Sequence, residues 1–257
     1  MPAVAAVLAS RRAVGALRRG LSRGGPAVVV CRSWSALERT LRSRLIDAWV
    51  FAPQRAAWSD VTRIRTDYPG VPALAYAPFR PDDGELLLAC RAVGVAAALV
   101  EQVDDAVVGE WVRRCSLTEQ RRRFLNDAPR VLRLADPLQA RVWGLVLERV
   151  DRPLRTSEIA RALRISREHL SRQFGAGGAP NLKRVIDLTR IACAAQLLSN
   201  PGYDVRLAGR LLGFASPSHL SRTARRIANV APAELGELGP RGVLAAFVRG
   251  NTRSRTA

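Results

Sequence analysis

The two histidines of the chain, His169 and His219, stand at the same place in two copies of one short motif. Ser166-Arg-Glu-His169-Leu170-Ser171-Arg172 recurs 50 residues on as Ser216-Pro-Ser-His219-Leu220-Ser221-Arg222, with five identities in seven. Upstream, Ile159-Ala160-Arg-Ala-Leu163-Arg164-Ile165 parallels Ala208-Gly209-Arg-Leu-Leu212-Gly213-Phe214, and the second copy has one extra residue, Ala215. Hydroxyls, imidazoles and guanidiniums spaced in this way offer hydrogen bonds across a surface. They do not form a catalytic set: any nucleophile–base–acid arrangement would have to draw its histidine from these two positions. The acidic pairs Asp82-Asp83 and Asp104-Asp105 read as helix starts. Gly175-Ala-Gly-Gly178 lacks the Gly-Lys-Ser/Thr of a phosphate-cradling loop and reads as a turn. The four cysteines, Cys31, Cys90, Cys115 and Cys193, form no CxxC pair. No metal, no cofactor and no enzyme is expected, and a reducing, cytoplasmic compartment is.

Net charge says what such a surface would meet. Lysine plus arginine number 41 against 22 acids, a net charge of +19, and only Lys183 among the 41 is a lysine. Arginine's planar fork suits phosphates and base edges, although a GC-rich genome favours the same residue. The charge is uneven: residues 1–25 carry +5, 26–115 are neutral, 116–130 carry +2 and 131–257 carry +12. A neutral unit followed by a basic one implies two domains, with polyanion binding, most simply of double-stranded DNA, in the second. No apolar run approaches the ~18 residues of a membrane span, so no membrane partner is expected.

Each copy of the repeat reads as helix-turn-helix. Thr156 or Ser157 caps the first helix of copy one, and Ser166 or Ser216 caps the second helix of each copy. The second helices bury Leu170 and Phe174, or Leu220, Ala224 and Ile227. They turn outward Arg167, Glu168, Ser171 and Arg172, or Ser218, His219, Arg222, Arg225 and Arg226. A polar helix of this kind is what a major groove admits. Glu168, Ser171, Arg172, Ser218, His219 and Arg222 are base-edge candidates; Arg167, Lys183, Arg225 and Arg226 are phosphate candidates. Between the copies, the apolar spacing from Leu182 to Leu197 predicts one helix over 181–200, about 30 Å long at 1.5 Å per residue, ended by Asn200-Pro201-Gly202. Such a rod could hold two reading heads about one DNA turn apart.

Arg190-Ile191-Ala-Cys-Ala194-Ala-Gln-Leu197-Leu198 and Leu212-Gly213-Phe214-Ala-Ser216-Pro-Ser-His-Leu220-Ser221-Arg222, followed by Pro232, resemble the linker helix and C-terminal signature of the AraC/XylS family of bacterial transcriptional regulators. The resemblance covers about residues 137–236. It implies an all-helical domain of two helix-turn-helix units, with RNA polymerase as a further partner and a nucleoid-associated location. Three positions depart from the family pattern: Ala224 stands for an aromatic, Asn229 for a Gly, and Arg164 for a small turn residue.

Ahead of this domain, apolar runs at Ala27–Cys31, Ala48–Ala52, Val71–Ala77 and Val95–Val100 alternate with helical patterns over Ser33–Arg44, Ala56–Tyr68 and Pro81–Val93. Another helix runs from Asp104 to at least Arg114, with Phe124 as its outer limit. The alternation predicts a small parallel sheet with helices on both faces. Gly94-Val-Ala-Ala-Ala-Leu99-Val-Glu101-Gln102-Val103-Asp104 resembles the last strand and following loop of response-regulator receiver domains, a flavodoxin-like fold. The receiver's chemistry is missing. Cys31-Arg32-Ser33 stands for its metal-binding acids, Phe51-Ala52-Pro53 for its phosphoacceptor, and Glu101 for its lysine. The resemblance implies a pseudo-receiver that supports a homodimer or senses a partner; a generic α/β domain is the alternative.

The expected order is therefore a disordered basic tail (1–25), a receiver-like α/β domain (26–115), a helical linker (116–136), a DNA-binding domain (137–240) and a basic C-terminal tail (241–257). Residues 1–23 also have the composition of an organellar transit peptide, and an over-long start is a third reading. A sequence-specific DNA-binding regulator fits best; the alternative is a non-specific architectural or RNA-associated nucleic-acid binder.

Overall fold

The computed structural model describes residues 2–22, 25–150 and 152–253. The chain divides into two compact units, one of residues 1–120 with 200–202 and one of residues 121–199 with 203–257.

The first unit begins earlier than the sequence suggests. Strand β1 is Ala3–Val7 and helix α1 is Arg11–Leu21, so the expected basic tail is ordered secondary structure. The run Ala-Val-Ala-Ala-Val carries little hydrophobic weight, yet Ala3, Val4, Ala5 and Ala6 are buried. In α1 the arginines lie beside a stripe of Ala13, Ala16, Leu17 and Leu21, all buried, and Ser10 caps the helix by accepting the Ala13 N–H at 3.0 Å. There follow β2 (Ala27–Val30), α2 (Trp34–Ser43), β3 (Ile46–Phe51), α3 (Trp58–Asp67), β4 (Ala73–Ala77), α4 (Gly84–Ala92), β5 (Ala97–Val100) and α5 (Val108–Cys115). The sheet has five strands rather than four. All its pairs are parallel, in the order β2-β1-β3-β4-β5, which is the flavodoxin-like order.

Both faces are covered. On one, Val4, Val50, Leu74 and Tyr76 pack with Leu17 of α1 and Val108 and Val112 of α5. Helices α1 and α5 approach so closely that a Cβ on Gly109 would lie 2.3 Å from the Gly20 carbonyl. In addition, Arg113 donates to the Gly20 carbonyl at 2.7 Å. On the other face Trp34 and Trp58 meet Phe51 edge-on, and Trp34 also meets Trp49. The helix expected from Asp104 starts at Val108. It stops at Ser116, whose hydroxyl takes the Glu119 N–H at 3.1 Å and so begins α6 (Leu117–Phe124). Asp47 accepts both the N–H and the hydroxyl of Thr118, at 2.9 and 3.0 Å.

The second unit is helical. After α6 come α7 (Ala128–Val131), α8 (Pro137–Glu148), α9 (Thr156–Leu163), α10 (Arg167–Phe174), α11 (Leu182–Leu198), α12 (Val205–Leu211), α13 (Pro217–Ala228) and α14 (Leu235–Arg253). The expected linker 116–136 is thus split between the units, and its Leu117, Leu125, Ala128, Leu132 and Leu134 are buried. The expected C-terminal tail is also corrected. Helix α14 runs to Arg253 and is kinked at Gly239, ahead of Pro240; it buries Val243, Leu244 and Phe247 while packing on α11 and α13. Residues 254–257 of that tail lie outside the described residues.

Candidate nucleic-acid interface

In copy one, α9 starts at Thr156, with Arg155 rather than Thr156 or Ser157 in the capping position. Glu158 accepts the Arg155 backbone N–H at 2.9 Å, and that hydrogen bond holds the Glu158 carboxyl below the usual range. The turn rests on Arg164, which is left-handed at φ 56°. Ser166 then caps α10 by accepting the His169 N–H at 3.0 Å. Leu170 and Phe174 are fully buried, and Gln139 of α8 donates to the Phe174 carbonyl at 2.8 Å, tying down the helix end. Arg167, Glu168, His169, Ser171 and Arg172 all face outward and are exposed.

In copy two, Asp204 caps α12 through the Leu207 N–H at 2.6 Å. Gly213 makes the turn at φ 64°, and a Cβ there would sit 2.6 Å from Cδ of Pro153. Ser216 caps α13 through the His219 N–H at 3.1 Å, with Pro217 in the first turn. Leu220, Thr223, Ala224, Ile227 and Ala228 are buried, and the left-handed Asn229 (φ 57°) ends the helix. Ser218, Arg222 and Arg225 are exposed.

Three candidates differ from simple outward display. His219 is half-buried, its ring edge-on to Phe214 with centroids 5.5 Å apart. Arg226 pairs with Asp187 of α11 at 2.7 Å, so it braces two helices as well as carrying charge. Lys183 is exposed in the first turn of α11, which spans 17 residues, about 25 Å, with Asn181 as its cap. It is shorter than the helix expected over 181–200. Sequence reading missed the roles of Arg190 and Asp187. Buried Arg190 places its guanidinium 3.9 Å from the Phe214 ring centroid and donates to the Leu212 carbonyl at 2.9 Å. Burial lowers its pKa. It joins α11 to the turn of copy two. Only the linker-helix pattern marked Arg190 in the sequence.

Residues 159–237 match a family described as a helix-turn-helix domain. They are an AraC-type helix-turn-helix domain. A domain of this kind supports DNA binding by a transcription regulator. No curated protein matches the chain. Among solved structures, the chain is similar to a response regulator from Thermotoga maritima (19% identity, 45% of this chain and 97% of that one, TM-score 0.41). It is also similar to a signal receiver domain of an HD domain-containing protein from Pseudomonas fluorescens Pf-5 (21%, 44% and 85%, 0.39). A third is full-length FixJ from B. japonicum (16%, 87% and 96%, 0.37). Among the described residues no helix is long and apolar enough to cross a membrane.

The extra strand also corrects the placement of the receiver-like pocket. The residues following the first strand are Leu8-Ala9-Ser10, not Cys31-Arg32-Ser33, which follow the second. Ala52 still follows β3 and Glu101 still follows β5. Ser10 donates to Glu101 at 2.6 Å. Nearby, Asp105 accepts the Tyr76 hydroxyl and the Gln102 N–H, and the Tyr76 hydrogen bond holds its carboxyl below the usual range. Burial, reinforced by Asp105, raises the Tyr76 pKa. No aspartate stands directly after β1 or β3, where the receiver resemblance would place metal ligands and a phosphoacceptor.

Proposed function

We propose that the chain is a sequence-specific transcription regulator whose α10 and α13 enter adjacent major-groove segments on one face of the duplex. The observation that carries this reading is the pair of equivalent Ser-capped helices, each with a buried apolar side and an exposed Arg-bearing side. Arg172 and Arg222 stand at the same position of the two helices and take guanine edges or phosphate. Glu168, Ser171, Ser218 and His219 are further base-edge residues, with His219 limited by its packing on Phe214. Arg167, Lys183 and Arg225 take phosphates, and Arg226 does so in competition with Asp187. RNA polymerase as a partner, a homodimer through the first unit, and a cytoplasmic, nucleoid-associated location complete the proposal.

Selection of the full chain on a randomised duplex library tests it. Two conserved patches about 10 base pairs apart are expected. A net charge of +19 also suits an architectural binder, which would recover no motif and show only a steep loss of affinity with salt. For the first unit we propose a role independent of phosphorylation. Incubation with acetyl phosphate and Mg²⁺ should leave no hydroxylamine-labile phosphate, and an aspartyl phosphate there would overturn that role.

A further inference from the structure

Between the two heads lies a cleft of about 590 Å³ that gathers three of the phosphate candidates, Arg167, Lys183 and Arg226, with residues the reading of the helices does not use. Arg155, Arg167, Lys183 and Arg226 line it, with Arg190 among its lining residues and Asp187 as its one carboxylate. Five cations against one acid make it strongly attractive to anions. Helix α9 also starts there, and the first N–H groups of a helix have no intrahelical acceptors. A separate observation points the same way. Arg190 is only 5% exposed, and its Nε has no hydrogen-bond acceptor among the described residues. A buried guanidinium left partly unsatisfied beside a cationic cleft fits a site completed by an anion.

DNA geometry indicates which anion. Two helices reading the major groove one turn apart on one face have a minor groove between them, walled by two runs of phosphates. We propose that the cleft seats this intervening sugar–phosphate backbone, with Arg155, Arg167 and Lys183 meeting phosphate oxygens. Arg226 is held by Asp187 in the free protein and turns to phosphate in the complex. The seat adds affinity without reading bases and fixes the spacing of the two heads. It rests on the two-headed DNA reading above.

The test uses the full chain and the duplex selected from the randomised library, with neutral methylphosphonates placed singly along the spacer and, as a control, outside the two patches. One or two neighbouring spacer positions should weaken binding roughly tenfold, the worth of a charge-assisted contact. The double variant Arg155→Ala/Lys183→Ala changes two exposed side chains, so the fold is retained. It should lose affinity for all duplexes, lower the salt slope by about two, and become insensitive to the same methylphosphonates. Asp187→Asn should tighten binding to every duplex severalfold and leave the selected motif unchanged. If the spacer methylphosphonates cost nothing, or the double variant remains as sensitive as the wild type, the seat is overturned while the two-headed reading stands. If those substitutions cost nothing but inorganic phosphate raises the melting temperature of the wild type and not of the double variant, the cleft is a small-anion site and the proposal is again overturned. If selection recovers no motif, the two-headed reading fails and the seat fails with it.

Discussion

In the first copy of the repeat the turn rests on Arg164 at φ 56°; in the second it rests on Gly213 at φ 64°, pressed against Pro153. The left-handed region disfavours side chains with a Cβ, so the first turn carries strain that the second avoids. The helices after the turns differ as well. Helix α10 has 8 residues and packs on α8, whereas α13 has 12 and packs on α14 and α11. Phe174 anchors the first, and Ala224 stands at the matching position of the second. The second head is therefore held by many elements, and His219 and Arg226 are drawn into holding it. In the first head every outward side chain remains exposed. The repeat therefore sets a braced head beside an open one, and under the proposed function the open one is the better placed to read DNA.

Several changes would break or sharpen that contrast. The largest effect is expected from Phe174→Ala, which gives copy one the residue of copy two. Removing a fully buried aromatic should cost about 3–5 kcal/mol in a denaturant titration, because α10 has no α14 beside it. A loss under 1 kcal/mol would mean that the anchor does not define the first head. Next come the turns. Gly213→Ala should destabilise the protein by about 1–3 kcal/mol through backbone strain and the clash with Pro153. Arg164→Gly should instead leave stability unchanged or raise it by up to about 1 kcal/mol, as relieved strain is set against chain entropy. Equal losses at both positions in thermal unfolding would remove the distinction between the turns.

On the selected duplex, Arg172→Ala and Arg222→Ala should each weaken binding by roughly 1–3 kcal/mol and each relax a different patch, with the larger loss at Arg172. Uniform losses with an unchanged motif would make the protein an electrostatic binder. Arg225→Ala should have the smallest effect, weakening all sequences alike and lowering the salt slope by about one.

How far these features could be read in the sequence depended on whether they were local. The Ser caps, the buried Leu170 and Leu220, and the alternation of strands and helices are set by residues within a few positions of one another, and the periodicity exposes them. Strand β1 escaped because alanine buries little area and arginines follow it. The Asp187–Arg226 pair joins residues 39 positions apart. The cleft gathers side chains from 153 to 226, which no spacing rule connects. The left-handed Arg164 was within reach, since the repeat aligns it with a glycine.

Strand β1 lies between two strands that follow it in the sequence. Because β1 pairs with both β2 and β3, it has neighbours on both sides only once residue 51 is present, and β4 and β5 then extend the sheet beyond β3. Loss of residues 1–22 would do more than trim a charged segment. It would remove an inner strand together with the helix that covers it, and leave β2 and β3 with no common neighbour.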